Sequence, residues 1–125
     1  MEGYSVSIES VSKELTAKER IQFKDTTSAL KLDEVTQQGA IVITPSIYGV
    51  LNVHNEKSDN VEYNNYIIID EESGEKYVTG SSSFWTSFMD IANEMKGETE
   101  PWSIKAYRVP SKNYKGKDFI TCSIV

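Results

Sequence analysis

A second cysteine, a second histidine and any long apolar run are all missing from this chain. Cys122 is the one thiol, so no disulfide can close within its 125 residues. His54 is the one imidazole, and no cysteine or other histidine stands at metal-ligand spacing from it. The motifs of a zinc site and of a Ser-His nucleophile are therefore absent, and His54 reads as a structural or exposed strand residue. Neither a phosphate-cradling glycine-rich loop nor a G-x-S-x-G elbow occurs. With no charged-then-apolar leader and no hydrophobic stretch of membrane length, a reducing cytoplasmic compartment is the expectation. These absences point to binding without catalysis, and to no metal, cofactor or small-molecule substrate.

Basic charge is scarce as well, with 13 Lys and Arg against 19 Asp and Glu and a net charge of -6. A polyanionic partner draws most of its affinity from cations that displace counterions, so the balance argues against one at first sight. The distribution reverses that argument. Residues 1–53 hold 5 basic against 7 acidic residues, residues 54–100 hold 3 against 11, and residues 101–125 hold 5 against 1. Lys105, Arg108, Lys112, Lys115 and Lys117 form the basic end, and Asp118 is its single acid. Lysines at hairpin tips also serve solubility, which is the plain alternative for these positions.

What the chain does contain is strand pattern. Residues 4–11 alternate with period two, residues 21–24 repeat that pattern briefly, and the segment up to Val35 is ambiguous. Residues 40–53 form a stronger strand signal, in which Pro45 marks a break and Gly49 a bulge or bend. The β-branched run Ile67-Ile68-Ile69 predicts a buried strand over residues 63–69, followed by a turn through Asp70-Glu71-Glu72-Ser73-Gly74 and a returning arm to Thr79. The serines at 81–83 offer an N-cap for one helix, whose residues Phe84, Phe88, Ile91, Ala92 and Met95 fall on one face before Gly97 stops it. Trp85 and Met89 widen that face, and the whole stripe reads as core packing. A last hairpin alternates Trp102, Ile104 and Ala106 against Lys105 and Tyr107, then Ile120, Cys122 and Ile124 against Phe119, Thr121 and Ser123. Its two polar faces are expected to coincide. Cys122 then falls on the apolar side as a small core residue.

One domain spans residues 1–125, with no internal repeat. Its element order, several strands, one helix and a final hairpin, fits an OB-like Greek-key barrel with the helix between the third and fourth barrel strands. The elements from Tyr77 onward add to this reading. Tyr77-x-x-x-Ser81, the helix, Trp102-Ser103-Ile104-Lys105, and the run from Ser111 through Gly116 to Phe119 resemble the single-stranded DNA-binding proteins of small bacteriophages that replicate linear DNA by protein priming. The resemblance covers the C-terminal half best. It implies sequence-independent coating and protection of single-stranded DNA during viral DNA replication in the host cytoplasm, with replication proteins as further partners.

The residues themselves suit that chemistry, because sequence-tolerant binding needs cations along the phosphates and flat rings for base stacking. The candidates on the final hairpin are Lys105, Tyr107, Arg108, Lys112, Tyr114, Lys115, Lys117 and Phe119, and Gly116 would admit a strand close to the backbone. Tyr107 and Phe119 have an alternative as a cross-strand pair over a second small core. Tyr48, Tyr63 and Tyr66 on the middle strands join the list as candidate stacking rings. The acidic groups Glu56, Asp59, Glu62 and Asp70, Glu71, Glu72, Glu75 lack the spacing of a calcium loop and are expected to be solvated charge on a back face. The rival reading takes the acidic middle as the working surface, in a protein-binding or DNA-mimic phage protein that engages a host factor.

Overall fold

Val6, Ile8 and, after a one-residue shift in register, Val11 turn the inner face of the first strand toward a buried cluster. In a computed structural model, which describes residues 3–59, 61–110 and 118–125, the elements run β1 (Tyr4–Val11), α1 (Ala17–Lys24), β2 (Leu30–Lys31) and α2 (Leu32–Val35). A 3-10 turn at Thr36–Gln38 leads to β3 (Ile41–Ile43), β4 (Pro45–Asn55), β5 (Glu62–Asp70), β6 (Lys76–Thr79), α3 (Ser82–Glu94), β7 (Ile104–Pro110) and β8 (Asp118–Ile124). The protein is mostly β. Hydrogen bonding divides the strands into a five-stranded sheet, ordered β1-β4-β5-β6-β2, and a three-stranded sheet, ordered β3-β7-β8.

Neither sheet closes into a barrel, and the reason is visible at Thr44-Pro45. The expected strand over residues 40–53 splits there into β3 of one sheet and β4 of the other. Proline has no N–H for a ladder. The Thr44 N–H donates instead to the Asp70 carboxylate at 2.8 Å, and its carbonyl accepts from the Glu71 N–H at 2.7 Å. The Thr44 and Ser103 hydroxyls lie 2.7 Å apart, which joins the start of β7 to the same crossing point. Asp70 is therefore buried at the junction between the sheets, where a solvated charge was expected. Burial works to raise its pKa, but hydrogen bonds from the Ser73 hydroxyl, the Thr44 N–H and the Ser73 N–H outweigh it and hold the carboxyl below its usual range.

Three α-helices occur among the described residues, where the pattern predicts one. Residues 21–24, expected to continue strand character, are the last turn of α1. Thr16-Ala17-Lys18-Glu19 forms a capping box, with the Glu19 N–H donating to the Thr16 hydroxyl and the Thr16 N–H to the Glu19 carboxylate. At its far end, the Lys76 ammonium donates to the Gln22 carbonyl and, at 2.6 Å, to the Asp25 carbonyl. α1 buries only Phe23, against Leu15, Leu51 and Ile67 on one face of the five-stranded sheet.

The larger core lies on that sheet's other face. Phe84, Phe88 and Ala92 of α3 pack there against Ile68 from the five-stranded sheet and Ile43, Ile104, Ala106, Ile120 and Cys122 from the three-stranded sheet. α3 is thus held between the sheets, begins at the Ser81 N-cap as expected, and takes its apolar stripe from the predicted residues. Burial pushes the Cys122 thiol up to about 11.

Candidate nucleic-acid interface

Cross-strand register decides which predicted residues share a surface. β7 and β8 pair antiparallel with Lys105 opposite Ser123, Tyr107 opposite Thr121 and Val109 opposite Phe119, and β3 adds Val42 opposite Lys105. These side chains alternate with the buried Ile104, Ala106, Ile120 and Cys122, so they form the outward face of the three-stranded sheet. The two polar faces of the hairpin coincide. Val42 is 59% exposed and Phe119 42% exposed, which leaves apolar surface uncovered on this face. No acidic residue is among the seven side chains.

The cation and one ring are held in relation to each other. The Lys105 ammonium lies 5.4 Å from the Tyr107 ring centroid, a cation–π distance, and the Tyr107 hydroxyl is 2.7 Å from the Ser123 hydroxyl. Tyr107 and Phe119 are diagonal neighbours, not a directly opposed pair, since each faces an aliphatic or polar residue across the ladder. A base approaching the face meets a ring fixed at its rim and a second ring in the open.

Arg108 belongs elsewhere. Its backbone position puts it on the inward side, opposite Ile120, and its guanidinium donates to the Thr36 hydroxyl at 3.2 Å, the Asp33 carbonyl at 2.5 Å and the Asp118 carboxylate at 2.7 Å. Those bonds pin α2 and the 3-10 turn to the last hairpin and occupy the fork that a phosphate would need. Lys112, Tyr114, Lys115 and Lys117, together with Gly116, lie outside the described residues.

The three tyrosines of the middle strands are not brought together. Tyr48 and Tyr66 face α3, where Tyr66 stacks on Trp85 with centroids 5.0 Å apart and Tyr48 meets Phe88 edge-on at 5.0 Å. Tyr63, opposite Val53, alternates onto the opposite side of the five-stranded sheet. Two of the three are committed to an aromatic cluster with Trp85, Phe88 and Trp102, the kind of packing that tyrosine in strands often serves. Val42 was missed in the sequence. Its one-residue offset from the half-buried Ile41 and the buried Ile43 was the only signal, and a three-residue strand is too short for alternation to stand out.

The acidic groups sit away from this face. Glu71, Glu72 and Glu75 are exposed around the β5–β6 turn, which meets the three-stranded sheet at its Thr44–Ser103 end, opposite the end where residues 111–117 connect β7 to β8. Glu56 and Glu62 flank His54 at the far end of β4 and β5, with Glu62 Oε1 3.1 Å from His54 Nδ1. Among the described residues no helix is long and apolar enough to cross a membrane, and no three acids, cysteines and histidines gather as a metal site. Comparison with protein-family models, with curated proteins and with solved structures gives no match.

Proposed function

We propose that this chain binds single-stranded nucleic acid on the outward face of β3-β7-β8 and acts without a catalytic step, covering and protecting single-stranded DNA during viral replication. The supporting observation is that the exposed Lys105 and Phe119 and the half-buried Tyr107 share one sheet face that carries no acid. A cation and two rings within one hairpin supply the two contacts that sequence-tolerant binding uses, phosphate attraction and base stacking, the latter worth about 1–3 kcal/mol per base. Lys112, Tyr114, Lys115 and Lys117, which lie outside the described residues, belong to the same proposal through the sequence alone. An OB-type relationship of the fold belongs to the same proposal, since α3 enters between the middle strands and the final hairpin in the order such barrels use.

Quenching of tyrosine and tryptophan fluorescence by oligo-dT and by duplex DNA, at several salt concentrations, tests this reading. Single strands should quench and the duplex should not, with affinity falling steeply as salt rises. Lys105→Ala should lower the slope of log affinity against log salt by about 0.7, the loss of one phosphate contact to a single strand. Tyr107→Ala and Phe119→Ala should weaken binding with the slope unchanged, whereas Arg108→Ala should lower stability and leave affinity intact. Absence of quenching by oligo-dT would overturn the proposal in favour of the acidic, protein-binding reading.

A further inference from the structure

α3 carries a second stripe beside its buried one. Trp85, Met89, Asn93 and Lys96 follow one another at spacings of four, four and three residues along α3 and the turn after it, so they line one side of the helix. Their chemistry changes in order, from indole to thioether to amide to ammonium. Opposite them, β1 bulges between Ile8 and Ser10, and Gly49 of β4 lies so close to β1 that a Cβ there would sit 2.3 Å from the Ser10 carbonyl. Beyond the bulge the strand end is held by two bonds, Ser12 N–H to the Tyr48 carbonyl at 2.8 Å and Tyr48 N–H to the Ser12 hydroxyl at 3.0 Å. Between the stripe and the bulge lies a cleft of about 210 Å³.

We infer that this cleft binds a nucleoside monophosphate, either free or as the phosphorylated end of a strand. Drug-sized ligands occupy pockets of about 300–1,000 Å³, so this volume takes the planar base alone and leaves the ribose and phosphate at its mouth. Its apolar end is a fixed wall. Trp85 is held by Tyr66 on one contact and Phe88 on another, each with centroids 5.0 Å apart, and Tyr48 and Met89 complete the surface for a heterocycle. The exposed Ser10 hydroxyl and Asn93 amide offer donors and acceptors to the ring's polar edge. At the mouth, Lys96 is exposed and makes no ion pair among the described residues, which leaves its charge for a phosphate. This site is separate from the outward face of β3-β7-β8, since α3 and the inward side of that sheet stand between the two.

NMR titration of the full chain with AMP, adenosine and inorganic phosphate reads the cleft directly. AMP should shift the Ser10 and Ser12 amides, the Asn93 side-chain amide and the Trp85 indole N–H; adenosine should shift the same signals with weaker affinity, and phosphate alone should leave them in place. Lys96→Ala should weaken AMP about two- to fivefold, the range of an exposed ion pair, and leave adenosine unchanged. In a Lys105→Ala, Tyr107→Ala, Phe119→Ala protein AMP should bind as before. There, 5′-phosphorylated oligo-dT shifting the cleft signals identifies a strand end as the ligand, and AMP alone shifting them identifies the free nucleotide. The inference is overturned if AMP leaves the cleft signals unmoved, or if Lys96→Ala binds AMP as tightly as the parent, whatever oligo-dT does at the outward face.

Discussion

Asp70 shows how much one carboxylate can carry. It accepts the Thr44 N–H, the Ser73 N–H at 3.1 Å and the Ser73 hydroxyl at 2.7 Å, and so satisfies the backbone at the point where one sheet gives way to the other. Removing it leaves the Thr44 N–H buried without a partner, so Asp70→Ala should cost about 2–3 kcal/mol. Because its folded pKa is lowered, the carboxylate contributes stability that is complete above the unfolded value of about 3.9 and is lost as pH falls through the folded value. Thermal melts followed by circular dichroism should show the parent losing stability below about pH 4, and Asp70→Asn losing less over the same range. Sequence reading grouped Asp70 with its acidic neighbours Glu71 and Glu72. Ser73, three residues on, is a local partner that any turn could offer, but the Thr44 N–H that buries Asp70 at the sheet junction is 26 residues away.

Elements differ in how openly they announce themselves. α3 is amphipathic over 13 residues, and its serine cap and its buried face, with Phe84, Phe88 and Ala92, were legible in the sequence. α1 has no such stripe, buries Phe23 alone, and shows itself only through its capping box and the lysine that later closes its C-terminus. The capping sequence Thr16-x-x-Glu19 lies within a charged stretch, and no apolar periodicity follows it to mark a helix, while residues 21–24 alternate as a strand would. β1 is an edge strand whose pairing is interrupted by a bulge, with the charged Glu9 as the extra residue, and bulge and charge both discourage another chain from adding to that edge. The bulge depends on Gly49. Gly49→Ala would drive a methyl group into the β1 backbone, and urea unfolding should show a loss of about 1–3 kcal/mol, with the cleft's Ser10 and Ser12 NMR signals displaced in the folded state.

Across the whole molecule, one helix holds two sheets together, and Cys122 reports on that arrangement. Its thiol is buried among Phe84, Phe88, Ala106 and Ile120 and raised to about 11, so thiolate is scarce and access is blocked. A disulfide reagent at pH 8 should therefore label Cys122 at the rate at which α3 and the β7–β8 hairpin separate, and Phe88→Ala should speed labelling along with the loss of stability. Equal labelling rates for the folded and urea-unfolded chain would contradict this packing. The same arrangement governs the proposed binding surfaces. α3 occupies the inward side of β3-β7-β8 and leaves the outward side with Lys105, Tyr107 and Phe119, while its own second stripe borders the cleft.

Composition and alternation were enough to predict a mostly β chain, a helix between the serine cap at 81–83 and Gly97, a final hairpin with Ile104, Ala106, Ile120 and Cys122 inside, and a basic end set against an acidic middle. Those features are written in neighbours two to four residues apart, where side-chain spacing alone selects a face. The separation into two sheets, the burial of Asp70, the withdrawal of Arg108 into a structural fork and the commitment of Tyr48 and Tyr66 to Trp85 were decided only by tertiary structure. Each depends on a partner brought from a distant part of the chain, and the same guanidinium or phenol ring reads identically in sequence whether it meets a carbonyl, another ring or open solvent.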